Sequence, residues 1–431
     1  MFFLNIIILG QSAFRLEKGA TFIMEKKAMV YIQSGGPTSV INTSLYGAIR
    51  EAQKHRDLIS HIYGSLHGIE GLVDDNLIDL DQEDDETIEL LKQTPGAVLG
   101  STRFKLPKDY HNPVYNKIIA NLRKHDIGYV FVNGGNDSMD TCYKLSLLCQ
   151  RMGLDIKIIG VPKTVDNDLA ETDHSLGFPS AAKYVANTVK EICIDARAYR
   201  KGKVFIIEIM GRNAGWLTAA VDLIEGPYRP DFIYLPEHQF DVEKFLDEVS
   251  VKFHEKGNAI AVISEGIVFE RDISQARVDS FGHIQLGGAA LDLTRMVESR
   301  FDLPTRSIEL SLPQRAYGML VSKVDQDEAI AVGAKAVQLA VEGKTALMVA
   351  IKRVSDKPYK AEFVPVDISH IANVERIVPE DMIIDNTRMS ESFRDYCLPL
   401  IQGEVDVKYE NGIIKAAVLK KVKVKAETER F

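Results

Sequence analysis

The residues best suited to chemistry lie in one short stretch, residues 160–169, with the sequence GVPKTVDNDL. It follows an apolar run at 156–159 that we interpret as a buried strand. Within six residues it holds a lysine, a hydroxyl and two carboxylates: Lys163, Thr164, Asp166 and Asp168. One carboxylate could act as a general base and the other could handle a metal or a charge, while the lysine could meet a polyanion. The alternative is an ordinary Asx-rich turn, because Pro, Asn and Asp are common turn residues.

Two glycine-rich turns also follow predicted strands. The first, at 33–42, follows a strand at 28–32 and enters a helix, and the second, at 133–141, follows a strand at 129–132. Glycines in such turns let backbone N–H groups approach a phosphate at the positive end of a helix. The second turn adds acidic and amide side chains that could address a metal–phosphate complex. Because ligands bind at the carboxyl ends of strands in open α/β sheets, we expect these three strand ends to point polar groups into one crevice.

Other predicted strand ends carry single charged residues. The turn at 210–216 places Arg212 at its tip. Glu265 closes another strand, either as a hydrogen-bond acceptor for a polyol or as a carboxylate that stabilises a helix dipole. The stretch 97–104 resembles a short strand leading into a loop. Arg103 lies at the mouth of this loop, and it could be a phosphate contact or a surface cation.

The chain as a whole alternates strand and helix patterns, which predicts an α/β fold with parallel, doubly wound sheets. Residues 74–92 carry many acids and resemble a solvated helix, and residues 418–425 could form a terminal strand or arm with a basic face. We predict further helices at 118–125, 142–151, 177–197, 242–255, 291–300 and 326–341, and further strands at 204–209, 232–235, 259–266, 306–312 and 346–351.

The composition argues against several classes of protein. The chain has 431 residues, of which 45% are hydrophobic and 26% charged, as expected for a globular protein with a sizeable core. A formal net charge of −9 argues against a large nucleic-acid-binding surface, so we predict no nucleic-acid partner. Any anionic ligand must then be held by local arginines and lysines. The four cysteines lack metal-binding spacing, and we expect free, mostly buried thiols in a reducing compartment.

The N-terminal residues need a separate explanation. Residues 2–9 are apolar, but they lack a positively charged start and are too short to span a bilayer, so we predict neither a signal peptide nor a membrane partner. Lys18, Gly19 and Ala20 can be encoded by a purine-rich ribosome-binding sequence at a plausible distance before Met24. We therefore hypothesise that translation starts at Met24 and that residues 1–23 are a non-native or disordered extension.

Seven short motifs occur in a set order along the chain: GGPTSVIN, GSTRF, GGNDS, PKTVDND, MGRNAGW, ISEG and PQR. Together they resemble the ordered motif set of the phosphofructokinases, from about Met29 to about Lys335. The resemblance implies two Rossmann-like, doubly wound domains with mainly parallel sheets. We expect a donor-binding domain at 24–165 plus about 305–400, a fructose 6-phosphate domain at 166–304, and a C-terminal strand or arm at 401–431.

The resemblance also indicates the phosphoryl donor. Members that use ATP carry glycine at two positions where this chain has Asp137 and Lys163, as the pyrophosphate-dependent members do. An aspartate at the place of a nucleotide's inner phosphate would repel ATP, and a lysine can neutralise a leaving phosphate. The expected reaction is a reversible transfer from pyrophosphate to fructose 6-phosphate in glycolysis or gluconeogenesis.

The site residues follow from the resemblance by matching positions. Asp166 would be the general base for the sugar's 1-hydroxyl, with Lys163 and Asp137 completing the catalytic set and Thr164 and Asp168 shaping the site. Mg²⁺ would bridge the phosphates, so that catalysis is largely positioning and electrostatics. The donor would be held by Gly36, Arg103, Gly135 and Ser138, and the sugar by Met210, Gly211, Arg212 and Glu265. The 6-phosphate would bind in the loop that contains Arg306, Leu312 and Arg315.

Three residues depart from the family pattern. Asn136 stands where an acidic metal ligand is usual, so Mg²⁺ would be held by its amide oxygen, by Asp137 or mainly by pyrophosphate. Lys203 replaces a substrate-binding arginine of the ATP-dependent members, which weakens any bidentate contact there. Leu312 replaces a histidine that is frequent in the 6-phosphate loop.

The resemblance implies a cytoplasmic enzyme with more than one subunit. One arginine of the 6-phosphate loop typically reaches across a subunit interface, so we expect a homodimer, with a tetramer possible. An ATP-dependent 6-phosphofructokinase is the nearest alternative function, and a non-catalytic regulatory subunit is another. Retention of Asp166, Asp168, Lys163 and Arg212 argues against the regulatory alternative. A lipid or NAD kinase would not need the MGR and PQR groups.

Overall fold

The computed structural model describes residues 25–270 and 287–425. The predicted N-terminal extension at 1–23 and the predicted start at Met24 lie outside the described residues. Within the described part, no helix has both the length and the apolar character needed to cross a membrane.

The strands of the described part follow the chain from β1 to β15. They are β1 Lys27–Gln33, β2 Ile59–Ser65, β3 Leu77–Asp79, β4 Ile127–Gly134, β5 Lys157–Pro162, β6 Val204–Ile209, β7 Phe232–Tyr234, β8 Ala259–Ser264, β9 Thr305–Glu309, β10 Leu347–Asp356, β11 Tyr359–Asp367, β12 Ile383–Asp385, β13 Arg388–Met389, β14 Tyr409–Glu410 and β15 Ile413–Ile414.

The helices of the described part follow the chain from α1 to α12. They are α1 Ile41–Ala52, α2 Ile69–Val73, α3 Asp85–Leu90, α4 Pro113–Lys124, α5 Asn136–Arg151, α6 Phe178–Ala196, α7 Trp216–Ala219, α8 Val242–Lys256, α9 Ala289–Phe301, α10 Pro313–Ala316, α11 Lys323–Val341 and α12 Glu391–Cys397.

Two sheets carry most of the strands. The larger sheet has seven strands in the order β11-β10-β5-β4-β1-β2-β3, with antiparallel pairs only at its two edges. The second sheet has four parallel strands in the order β7-β8-β6-β9. Parallel strands need helical crossovers that cover both faces, which explains why β4 and β6 are almost wholly apolar and buried. The predicted α/β fold with mainly parallel sheets is confirmed.

The register brings three strand ends to one edge of the larger sheet. The last residue of β1, Gln33, pairs with Asn133 of β4, and Asn133 in turn pairs with Val161 of β5. The turns that follow β1, β4 and β5 therefore lie side by side. The turns after β1 and β4 are the two glycine-rich turns, and the turn after β5 is the stretch Lys163–Asp168. This third stretch is called the catalytic loop below.

The sequence predicted a solvated helix for the acidic stretch 74–92, and this prediction is wrong. It contains the short antiparallel strand β3 and the six-residue helix α3. Asp84 caps α3 by accepting a hydrogen bond from the N–H of Thr87, and Asp79 accepts one from the N–H of Asp81. Aspartates that bond to nearby backbone N–H groups break a helical stretch into turns and caps, which explains the difference.

The stretch 97–104 contains no strand, so that prediction is also wrong. The N–H of Val98 donates to the side chain of Asn42 and the N–H of Leu99 donates to the side chain of Gln33, each at 3.1 Å. Buried side-chain amides thus replace the neighbouring strand as hydrogen-bond partners of this segment.

The C-terminal segment returns to the larger sheet. Lys423 forms an isolated antiparallel bridge with Ile78 of β3, and no regular strand forms within the described residues 415–425. Strand β9, at 305–309, pairs with β6, so the chain leaves the second sheet after residue 309. The division into domains stays a prediction, with this strand belonging to the second sheet.

Helices α1 and α11 pack through two glycines. A Cβ built on Gly47 would lie 2.1 Å from the carbonyl oxygen of Ile330, and one on Gly333 would lie 2.0 Å from the carbonyl oxygen of Ser44. Helix α1 begins directly after the first glycine-rich turn, and α11 carries Asp325, which accepts hydrogen bonds at the start of α6. The two glycines therefore set the distance between elements that hold the site.

We expect Gly333→Ala to lower the free energy of unfolding by about 2 kcal/mol, because the added methyl group overlaps a backbone carbonyl. This sign opposes helix propensity, which favours alanine over glycine by about 1 kcal/mol. Urea unfolding measures the change. The control is Asp327→Ala on the exposed side of α11, with an expected change below about 0.5 kcal/mol. A Gly333→Ala protein more stable than the wild type would contradict this account.

Candidate active site

The three strand-end turns are held together by main-chain hydrogen bonds. The N–H of Ser34 donates to the carbonyl of Asn133 at 2.9 Å, and the N–H of Lys163 donates to the carbonyl of Gly134 at 3.1 Å. The N–H of Gly35 donates to the carbonyl of Thr102 at 3.1 Å, which brings the loop of Arg103 beside the first turn. The crevice predicted from the sequence is therefore a single connected structure.

Lys163 is buried at the centre of this crevice. Its Nζ donates to the carbonyl oxygen of Gly36 at 2.7 Å. Burial and, to a smaller extent, the charge of Arg315 lower the pKa of Lys163 to about 8, against the opposing effect of Asp166. A Cβ on Gly36 would lie 3.0 Å from Nη1 of Arg315, so a side chain there would press on this arginine.

The two carboxylates of the catalytic loop lie on either side of Asn167. Asn167 has a left-handed backbone with φ of 56°, and its side chain is fully buried. Its Oδ1 accepts from the N–H of Ser175 at 2.9 Å, and its Nδ2 donates to the hydroxyl of Tyr396 at 2.8 Å. These two bonds fix the turn that aims Asp166 and Asp168, because asparagine tolerates this conformation at little cost.

Burial raises the pKa values of three carboxyl groups in the crevice. For Asp166 the charges of Arg212 and Lys163 oppose the rise. The pKa of Asp168 is raised to about 7 by burial and by Asp166, and that of Glu265 is raised to about 7 by the same two causes. Ionisable groups perturbed together in a crevice are typical of an active site.

Asn136 and Asp168 form a pair with unused oxygen atoms. Nδ2 of Asn136 donates to Oδ2 of Asp168 at 3.1 Å. Oδ1 of Asn136 and Oδ1 of Asp168 are both buried, and neither has a hydrogen-bond partner among the described residues. Buried polar atoms without partners are rare, and oxygen atoms of this kind are the ligands that Mg²⁺ and Ca²⁺ prefer. This pair therefore fits a divalent cation, in line with the sequence-based expectation that one of the two carboxylates could handle a metal or a charge.

The start of α5 carries the remaining predicted donor residues. Asp137 lies in its first turn and forms an ion pair with Nζ of Lys105 at 2.9 Å. Ser138 is buried, and its Oγ lies 1.9 Å from the position a Cβ on Gly134 would take. Gly135 is the N-cap, where a Cβ would make only ordinary contacts of 3.5 Å or more. Sequence reasoning missed Lys105, which lies outside every glycine-rich turn.

The turn Met210–Trp216, called the substrate turn below, follows β6 in the second sheet. The N–H of Met210 donates to Oε1 of Gln314 at 3.0 Å, and the N–H of Gly211 donates weakly to Oε1 of Glu265 at 3.5 Å. The charge of Arg212 acts on both Asp166 and Glu265. Three predicted motifs, MGR, SEG and PQR, thus meet here. Gln314 was missed as a site residue, although it stands inside the PQR motif.

The structure separates the residues of the predicted 6-phosphate loop. Arg315 is half-buried beside Gly36, where its charge acts on Lys163 and Asp166. Arg306 lies exposed near the start of β9, opposite Phe205, and so at the far end of the strands from the substrate turn. Leu312 is 56% exposed. Within one chain, only Arg315 of the three lies with the charged residues of the crevice.

A buried ionic network supports the wall of the crevice behind the catalytic loop. The ring of His174 bonds to Asp173 at 2.8 Å and to Glu328 of α11 at 2.6 Å. Arg353 of β10 donates to Asp173 at 3.0 Å, and the hydroxyl of Tyr359 donates to Glu328 at 2.6 Å. No sequence signal distinguished His174 from a surface histidine, because its partners come from distant parts of the chain.

Comparisons with known proteins give a consistent result. The sequence model of the phosphofructokinase family matches residues 28–340. A pyrophosphate–fructose 6-phosphate 1-phosphotransferase from Halomonas elongata is 42% identical over 93% of this chain and 98% of that protein. One from Xanthomonas campestris pv. campestris is 41% identical over 92% of this chain and 97% of that protein. The crystal structure of a pyrophosphate-dependent phosphofructokinase from Marinobacter aquaeolei has a TM-score of 0.85 at 40% identity, and the match covers 94% of this chain and 98% of that one.

The network around His174 predicts a dependence of stability on pH. Burial lowers the pKa of His174, but the carboxylates of Glu328 and Asp173 raise it to about 9 overall, above its ordinary value of 6.5. The protonated ring therefore stabilises the fold fully below pH 6.5, and this contribution is lost as the pH rises through about 9.

We expect the stability advantage of the wild type over His174→Gln to shrink by up to about 3 kcal/mol between pH 6 and pH 10. Urea unfolding of both proteins across this range measures it. His254→Gln, on the exposed side of α8, is the control and should follow the wild type. Parallel curves for wild type and His174→Gln would show that the carboxylates of Glu328 and Asp173 do not raise the pKa of the buried ring.

Proposed function

The chain belongs to the phosphofructokinase family, and we propose that it transfers a phosphoryl group from pyrophosphate to the 1-hydroxyl of fructose 6-phosphate, giving fructose 1,6-bisphosphate and phosphate. The observation that carries this proposal is the buried Lys163 beside Asp166, with Asp137 on the neighbouring strand end. We propose that the enzyme catalyses this reaction in both directions.

Asp166 acts as the general base. Burial raises its pKa, and a carboxylate with a raised pKa is a stronger base. Asp166 takes the proton of the 1-hydroxyl while the sugar oxygen attacks the nearer phosphorus of pyrophosphate in line. The positive charge of Arg212 lowers the pKa of Asp166 and so favours its ionised form, against the effect of burial.

The cations of the crevice hold the donor. Lys163 neutralises the leaving phosphate, and Arg103 and the turn at Gly36 hold the other end of pyrophosphate, with Gly135 and Ser138 at the start of α5. Asp137, ion-paired with Lys105, stands where the inner phosphate of ATP would have to lie. Its negative charge repels a nucleotide and so selects the shorter donor.

The unpartnered oxygens of Asn136 and Asp168 are the proposed protein ligands of Mg²⁺. When bound, Mg²⁺ neutralises part of the charge that develops on the phosphoryl oxygens. Asn136 provides its amide oxygen in place of a carboxylate, and its amide group orients Asp168 through the hydrogen bond between them.

The acceptor lies between the substrate turn and Arg315. Met210, Gly211 and Arg212 contact the sugar phosphate, and Glu265 accepts hydrogen bonds from its hydroxyls, while Thr164 lines the catalytic loop. Arg315 binds the 6-phosphate beside Leu312. Arg306 lies on an exposed edge strand away from this crevice. We propose that it reaches the 6-phosphate bound to a second subunit in a homodimer. Two such dimers could associate into a tetramer.

The proposed location is the cytoplasm. All four cysteines are buried and free of disulfide bonds, as is usual for proteins of a reducing compartment.

Fructose 1,6-bisphosphate formation with pyrophosphate and with ATP, in the presence of Mg²⁺, tests the function. We expect turnover with pyrophosphate, and a decrease in kcat of about 10³-fold in Asp166→Asn because the general base is lost. The control, Asp195→Asn on the exposed face of α6, should keep full activity. Turnover with ATP alone would contradict the donor assignment, and an unimpaired Asp166→Asn would contradict the base.

The donor preference is tested by the double variant Asp137→Gly with Lys163→Gly. We expect turnover with pyrophosphate to fall by about 10²-fold or more, and turnover with ATP to rise above the wild-type level. Lys105→Met is the matched control, because it removes the ion-pair partner of Asp137 but leaves its negative charge in place. If ATP use appears in the control and not in the double variant, the charge of Asp137 does not select the donor.

A further inference from the structure

Arg376 connects the catalytic loop with the substrate turn, although it lies beyond residues 28–340 that match the family. Its N–H donates to the carbonyl of Asp168 at 2.8 Å, and its carbonyl accepts from Nε1 of Trp216 at 3.2 Å. One residue of the part that follows the family match, residues 341–425, called the C-terminal segment from here on, therefore spans the gap between the loop that carries the base and the turn that carries the acceptor site.

The preceding residue strengthens this connection. Glu375 forms an isolated antiparallel bridge with Leu169, directly after the catalytic loop. Its carboxylate accepts a hydrogen bond from Nδ2 of Asn213, in the substrate turn, at 2.9 Å. Two consecutive residues, 375 and 376, thus contact both segments.

The guanidinium group of Arg376 reaches the back of the catalytic loop. Nη1 donates to the carbonyl oxygens of Thr172 at 2.7 Å and Asp173 at 2.5 Å, and Nη2 donates to the hydroxyl of Tyr396 at 2.8 Å. The Cζ atom lies 4.5 Å from the ring centroid of Trp216, which is a cation–π distance. The planar, forked shape of arginine makes this combination of stacking and hydrogen bonding possible, and lysine lacks it.

The hydroxyl of Tyr396 completes the contact with the base. It accepts from Nδ2 of Asn167 and from Nη2 of Arg376, each at 2.8 Å, and donates to the carbonyl of Asp173 at 2.9 Å. A hydroxyl has one donor and two acceptor sites, so all three are used. Asn167 stands between Asp166 and Asp168, and the position of Tyr396 is therefore transmitted to both carboxylates.

We propose that Arg376 and Tyr396 are positioning residues that hold Asp166 at the correct distance from the substrate turn. Neither side chain belongs to the sets that contact donor or acceptor. Their effect is on geometry, and small displacements of a reacting group are costly: a shift of about 1 Å can reduce a rate by about 10²-fold. This role rests on the proposed function, in which Asp166 is the base.

The test compares kcat and KM in Arg376→Gln, Arg376→Lys and Tyr396→Phe. We expect Arg376→Gln to lower kcat by about 10²-fold and Tyr396→Phe by about 10-fold, with KM for both substrates within about threefold of the wild type. Arg376→Lys keeps the positive charge but not the forked guanidinium group, so its kcat should stay below half of the wild-type kcat. Tyr396→Phe keeps its ring against Trp216, 5.2 Å between centroids, and removes only the hydroxyl.

Arg394→Gln is the matched control. Arg394 also belongs to the C-terminal segment, donates to the carbonyl of Asp222 at 2.7 Å and pairs with Glu225, but it does not contact the catalytic loop. Its loss should lower thermal stability and leave kcat unchanged. A second readout is rescue: guanidinium ion should restore at least about 10-fold of the lost kcat in Arg376→Ala, in a saturable manner, and should have no effect on Arg394→Ala.

Several outcomes would overturn the proposal. An unchanged kcat in Tyr396→Phe would do so, even if Arg376→Gln failed to fold. A raised KM with unchanged kcat would show that Arg376 contributes only to substrate binding. Absence of pyrophosphate-dependent turnover in the wild type would instead refute the proposed function, and the positioning role with it. If the wild type turns over pyrophosphate and both Arg376→Gln and Tyr396→Phe keep the wild-type kcat, only the positioning role is refuted.

Discussion

The buried Lys163 ammonium is the group on which the arrangement of the site depends. Removing a charge from water is unfavourable unless opposite charges and hydrogen bonds compensate for it. Here the carbonyl of Gly36 accepts its hydrogen bond, and Asp166 supplies the opposite charge. Both partners must stay close, so the turns after β1 and β5 cannot move apart. Since β1, β4 and β5 are neighbours in one parallel sheet, the sheet and the main-chain hydrogen bonds between the turns provide this closeness.

The acceptor side depends on contacts between the two sheets. The catalytic loop ends β5 of the larger sheet, whereas the substrate turn ends β6 of the second. Gln314 of α10 and Glu265, directly after β8, fix the substrate turn, but they do not determine its distance from Asp166. The hydrogen bonds from Asp168 through Arg376 to Trp216 cross between the two segments. The C-terminal segment therefore contributes to the geometry of the site, although its own sequence contains no catalytic motif.

The parts of this structure that could be predicted are those encoded in short stretches of sequence. Apolar runs followed by glycine-rich or charged turns identified the strand ends that carry Gly36, Lys163, Asp166 and Glu265, because both signals are local. Arg376 and Tyr396 reach the site from a loop and a helix distant in sequence, and nothing in their neighbours marks them. Lys105 directly follows the GSTRF motif, so its neighbours could have indicated it. The same limit explains the error at 97–104, where apolar residues resemble a strand but bond to buried amide side chains. The spacing of Arg306 and Arg315 predicted that both lie in one phosphate-binding loop. In the structure, the extended strand β9 separates Arg306 from Arg315.

The charges of the crevice explain why donor and metal should bind together. Arg103 and Arg315 each lower the pKa of Lys163, and Arg103 also lowers that of Arg315, so the cations repel one another. Asp166 and Glu265 show the same effect with opposite sign, since Asp166 raises the pKa of Glu265 and that of Asp168. A polyanion alone would relieve the cations but increase the repulsion at the carboxylates, and a divalent cation alone would do the reverse. In the proposed function, pyrophosphate with a bound divalent cation would carry both charges in one ligand and would compensate both halves of the site at once.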